Sequence, residues 1–124
     1  MILQRIPKQA KRASRWKSPA HLTHVRQHAC IECGATTNIQ AAHVRMGSGA
    51  GMGQKPDDWR AVPLCGPNGY ESGCHAEQHR VGEPTFWKVY QQREGHSVDD
   101  VIAELIASSP KRHEIERVMK EREA

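Results

Sequence analysis

The chain holds four cysteines and eight histidines in 124 residues, at spacings that could do chemistry. Cys30-Ile31-Glu32-Cys33 is a knuckle, the turn that lets two thiolates reach one ion at tetrahedral angles. Cys65 and Cys74 supply a second pair, completing a four-thiolate set from the only cysteines present. The spacer between them, GPNGYESG, is longer than usual, but its three glycines and proline let it fold back as a surface loop. A redox role for the knuckle needs a thioredoxin-like βαβ context, which does not surround it. The expectation is a shared structural zinc on Cys30, Cys33, Cys65 and Cys74, against the alternative of four unrelated buried thiols.

A closed four-thiolate site takes no further ligand, so His75 and His79 in CHAEQH need another role. At i and i+4 on a helix two imidazoles share a face, which suits joint coordination. The alternative is a solvent-exposed helix pair, and His24 and His28 have the same spacing. His43, in AAHVR, is a third candidate. A metal with two protein ligands and open positions can polarise a phosphate and a leaving oxygen. A neighbouring neutral imidazole can take a proton from attacking water. These parts together suit metal-assisted phosphodiester hydrolysis.

Several short elements must position them. Residues 1–17 lack a sustained apolar period and read as a basic, flexible arm. Ser18-Pro19 is a helix start, and AHLTHVRQHA follows as a short helix with Leu22 and Val25 on one side. CIECGATTNIQAAHVR reads as the knuckle, a turn through 34–38, and a strand with Ile39, Ala41 and His43 on one face. Residues 46–58 form a loop by composition, and WRAVPLC a short apolar strand. GEPTFWKVYQQREG is a helix burying Phe86, Val89 and Tyr90. Ser97 caps the next, with Asp100 at the capping-box position and Val101, Ile102, Leu105 and Ile106 as its stripe. Pro110 ends it, and KRHEIERVMKEREA is a last, charged helix. The expected division is an arm over 1–17, a core over 18–93 and a helical extension over 94–124. His21, His24, His28, His96 and His113 read as surface or packing residues.

In this order CIEC, AAHVR, GMGQKPDDWRAVPLC and CHAEQH resemble the HNH, or ββα-metal, endonucleases. Within that family the chain looks most similar to small phage and prophage HNH proteins, including those linked to recombination enhancement. The resemblance runs from about Leu22 to Trp87. It implies an α+β fold: a zinc-stabilised ββα-metal core, with additional C-terminal helices. It implies His43 as general base on water, and His75 and His79 as ligands of a catalytic divalent ion (Mg2+, Mn2+ or Zn2+). Asp58 is the loop carboxylate that could complete that ion's shell; Lys55 and Asp57 lie in the same loop. Two positions depart from the family pattern. Ala42 stands where similar proteins carry a metal-binding Asp or His, and Arg60 where they carry the motif's middle Asn.

The formal charge of +4 hides an asymmetry. Of eighteen basic residues, seven precede the first acidic residue, Glu32, leaving eleven against fourteen acidic residues. A concentrated cationic segment releases counterions from a phosphate backbone; the competing reading is a solubilising tail. The expected nucleic-acid contacts are Arg12, Arg15 and Lys17 from the arm, with Arg45, Lys55 and Arg60 nearer the centre. They are mostly sequence-independent, because no base-reading helix is evident. With 37% hydrophobic and 5% aromatic residues, the core is small enough to need metal reinforcement. No apolar run approaches a membrane span and no signal-peptide core follows the basic start. The expectation is a cytoplasmic protein of a bacterial host or phage-infected cell, with DNA as substrate and a recombination protein as a further partner. The competing expectation is a zinc-stabilised nucleic-acid-binding module without catalysis, favoured by Ala42 and Arg60. A third is a zinc core that presents its C-terminal helices to a protein partner.

Overall fold

The computed structural model describes residues 15–50, 54–69 and 71–123. It is an α+β arrangement of one two-stranded antiparallel sheet and five helices. Helix α1 (Pro19–Arg26) starts where Ser18 leaves extended backbone and its Oγ accepts the His21 N–H at 3.1 Å. Pro19 sits in the first turn, where a missing N–H costs nothing. Strand β1 (Ile39–His43) pairs with β2 (Ala61–Cys65), with His43 opposite Ala61 and Ile39 opposite Cys65. The connection between them closes with a single 3-10 turn at Asp58–Arg60. Helix α2 (Gly73–Val81) follows the hairpin, then α3 (Glu83–Glu94), α4 (Val98–Ser108) and α5 (Arg112–Glu123).

All five residues of β2 are buried, because α1, α2 and α4 pack around it and β1 pairs beside it. Its outer edge is not left open: the Pro63 carbonyl accepts the Ile31 N–H of the knuckle at 3.1 Å. In β1 burial alternates only over the second half, since Gln40 is half-buried like its neighbours. Ala42 is fully buried, with Val44 just beyond the strand, while Ile39, Ala41 and His43 are half-buried. One expectation fails in α3. Val89 is 51% exposed, and the buried face is Phe86, Trp87 and Tyr90. Aromatic bulk decides this, since the two rings beside Phe86 stack edge-to-face and fill the space a valine would take.

Helix α4 carries the capping box read from Ser97 and Asp100: the Ser97 N–H donates to Asp100 Oδ2 at 2.9 Å, and Ser97 Oγ accepts the Asp100 N–H at 3.2 Å. Those bonds hold the Asp100 carboxyl below its usual range. The α4 stripe of Val98, Val101, Ile102 and Leu105 joins Val25, Val44, Leu64 and Trp87 in one apolar cluster. The segment expected as an extension thus shares the core of the hairpin. A second cluster of Trp16, Trp59 and Ile115 ties α5 to the chain just ahead of α1. Trp16 is only 8% exposed, so the last residues of the expected arm are part of the packed body; residues 1–14, including Arg12, lie outside the described residues. Among the described residues, no helix is long and apolar enough to cross a membrane.

Candidate functional site

The four cysteines converge. Their Sγ atoms all lie within 4.8 Å of one another, and Cys33 Sγ is 3.7 Å from Cys65 Sγ. Thiolates about 2.3 Å from a tetrahedral ion stand about 3.8 Å apart, so the donor set fits a structural metal. The knuckle folds through Cys30 N–H to Ala35 O at 2.8 Å and Gly34 N–H to Cys30 O at 2.9 Å. The α2 end is set by two glycines. A Cβ on Gly73, whose φ is +87°, would lie 2.3 Å from the Gly66 carbonyl oxygen. That approach brings the Cys74 N–H to 3.3 Å from Cys65 Sγ. Burial first, then the neighbouring sulfurs of Cys65 and Cys33, push the Cys74 thiol well up. Such crowding is relieved when a cation binds all four thiolates.

The same two elements build a second site. His75 is the residue after Cys74, and the His75 and His79 rings lie 5.0 Å apart, tilted by 35°. A cleft of about 750 Å³ opens against them, lined by His43, Arg45, Lys55, His75, Gln78, His79 and Glu83 among others. The three histidines picked from sequence therefore share one cleft, with two of the expected basic residues at its wall. Burial, then the charges of His79 and His43, hold the His75 imidazole below its ordinary pKa. That keeps it in the neutral form a metal requires. Gln40 Oε1 accepts from His75 Nδ1 at 2.8 Å, which fixes the tautomer and leaves the lone pair on Nε2. Gly66 makes room for this amide; a Cβ there would stand 2.6 Å from Gln40 Nε2.

His43 has its own support. Its Nε2 lies 2.8 Å from Asp58 Oδ1. A carboxylate only accepts, so the proton sits on Nε2 and Nδ1 carries the lone pair. Asp58 is 3% exposed and engaged at both oxygens: Oδ1 also accepts from Arg15 Nη1 at 2.7 Å, and Oδ2 from the Ser18 N–H at 2.8 Å. The expectation of Asp58 as a metal ligand is therefore corrected. It stands behind His43 and does not line the cleft, and both of its oxygens already accept hydrogen bonds. Arg15, expected at phosphate, is turned inward by the same carboxylate.

Arg60 is corrected likewise. Its guanidinium donates to Val44 O at 3.3 Å and Met46 O at 2.6 Å and pairs with Asp99 at 3.0 Å. It fastens the connection after β1. Glu83 secures that same turn from α3, its carboxylate accepting the Arg45 N–H at 3.0 and 3.1 Å. Arg45 and Lys55 remain at the cleft, and Lys17 is exposed. Sequence reading missed Gln40, Gln78 and Glu83. Gln78 alone carried a signal, three residues after His75 on the helix face of the histidine pair.

A family model described as a protein of unknown function, DUF968, matches residues 2–83. No curated protein and no solved structure matches the chain.

Proposed function

This chain belongs to the DUF968 family, and we propose that it is a metal-dependent endonuclease of the HNH type that hydrolyses phosphodiester bonds of DNA. One observation carries the reading: an antiparallel hairpin and the helix after it bring His43, His75 and His79 to a single cleft walled by Arg45 and Lys55. Strand, strand and helix in that order are what the resemblance implied.

His75 and His79 would hold the reactive divalent ion, and Cys30, Cys33, Cys65 and Cys74 a structural zinc. When bound, the reactive ion supplies Lewis-acid stabilisation of charge on the phosphate and leaving oxygen. The chain's own residues do the rest. Asp58 keeps the proton on His43 Nε2, so Nδ1 is the atom that takes a proton from water. The carboxylate also stabilises the imidazolium that results. Gln40 holds His75 in the ligating tautomer. Arg45 and Lys55 attract and orient the phosphodiester backbone. Ala42 is fully buried opposite Val62 and gives no ligand, so substrate oxygens and water would have to supply the remaining ligands. Arg60 takes over the fastening of the loop that the motif's Asn performs in similar proteins.

Ala42 is also what favours the second reading, a zinc-stabilised module that binds nucleic acid without cleaving it. Metal content and nicking of supercoiled plasmid together test the choice. The endonuclease reading expects one tightly held zinc, a second exchangeable ion, and nicking with Mg2+ or Mn2+. One zinc with salt-sensitive DNA binding, and no nicking under any divalent ion, supports the binding module.

A further inference from the structure

Gln78 is the oddest residue of the cleft. It is 1% exposed, yet neither Oε1 nor Nε2 has a hydrogen-bond partner among the described residues. Buried amides are nearly always satisfied, because leaving one unpaired is unfavourable. Two other buried side chains, His21 and Trp87, each leave a nitrogen without a partner, but neither lines the cleft. Gln78 does, and its helix position explains why. His75, Gln78, His79 and Gly82 follow one another at i, i+3, i+4 and i+7, one face of α2 and its cap, and all four line the same wall.

We infer that Gln78 is a ligand-contacting residue, whose amide binds a phosphate group and the hydrated divalent ion beside it. The inference rests on the cleft being the metal and phosphate site proposed above. A side chain offering one acceptor and two donor hydrogens matches a ligand that is itself mixed. A phosphate oxygen accepts from Nε2, and a metal-bound water donates to Oε1. An apolar residue of the same length at this position would suit the free protein better, so the amide is kept for what binds.

The test uses the full chain with its zinc retained. Gln78→Met keeps the length and removes both polar atoms; Gln78→Glu keeps an acceptor and removes the donor. Melting is followed without added divalent ion. Mn2+ affinity and binding of a short DNA duplex in Ca2+, to limit cleavage, are then measured. Gln78→Met should melt no lower than wild type and bind the duplex about tenfold more weakly. Gln78→Glu should lose duplex affinity at least as far while keeping its affinity for Mn2+. Unchanged duplex affinity in both variants overturns the inference, and so does a Gln78→Met protein that melts several degrees lower, which marks a packing role. The nuclease reading fails separately, when wild type binds Mn2+ and duplex but never cleaves. A wild type that binds neither overturns both.

Discussion

At the residue scale the central group is the carboxylate of Asp58. One oxygen serves both His43 and Arg15, and the other holds the Ser18 N–H at the start of α1. Asp58→Asn keeps the shape but can present an N–H to His43, which would favour the wrong tautomer. Cleavage is expected to fall on the order of 100-fold with binding of DNA little changed; a rate within twofold of wild type contradicts the relay. His21 offers a second test, through pH. It is fully buried with Nδ1 2.7 Å from Ser109 Oγ. Burial first, and then the charge of His24, lower its pKa to about 4, against an opposing pull from Asp58. The fold therefore prefers the neutral ring. Its contribution is complete above the unfolded value of about 6.5 and is lost as pH falls toward 4, up to about 3 kcal/mol. Denaturant melts should show His21→Leu losing less stability than wild type across that window; parallel slopes would contradict it. The sequence made His75 and His79 legible because a histidine pair at i,i+4 beside a cysteine is a local pattern, while His43 stood out only through the resemblance carried by AAHVR. Asp58 was legible as a loop carboxylate but not as the partner of His43, since nothing local predicts which way a loop carboxylate turns.

At the element scale, α2 joins the two sites. Its first turn carries Cys74 and His75, so the position of the thiolate set fixes the position of the imidazoles. Gly73 permits this by combining a left-handed φ of +87° with contact against the Gly66 carbonyl. Gly73→Ala would bring a methyl into that oxygen and is expected to cost more than about 2 kcal/mol, with weaker retention of zinc. A thermal melt with metal analysis reads both, and an unshifted melt with full zinc would contradict the account. The helix starts at Ser18-Pro19 and Ser97 were legible because capping is encoded over a few residues, and both strands were legible as short segments, though their pairing was implied only by the resemblance. The buried face of α3 was misjudged at Val89. Three aromatic residues within five positions compete for one core, and their shapes, set by α4 and β2, decide the outcome.

At the scale of the whole molecule, both ends of the described chain grip the dipeptide Asp57-Asp58. Asp57 accepts the Trp16 N–H at 2.7 Å and Arg122 Nη1 at 2.6 Å, while the Arg122 guanidinium lies 5.0 Å from the Trp59 ring centre. The small core is thus supplemented by polar clasps around the loop that holds His43. These joins were not legible, because Trp16, Asp57 and Arg122 are far apart in sequence and no pattern links them. The charge asymmetry was legible, though the basic residues before Arg15 lie outside the described residues. The account as a whole stands on His43 acting as a base in a metal-dependent cleavage. The most direct measurement is nicking of supercoiled plasmid by wild type and His43→Ala, in Mg2+ and in Mn2+, with equal zinc content and equal melting confirmed. Wild type should nick only with added divalent ion, and His43→Ala should fall by a factor of 100 or more, on the order expected for loss of a general base. A His43→Ala protein that nicks as fast as wild type would contradict it.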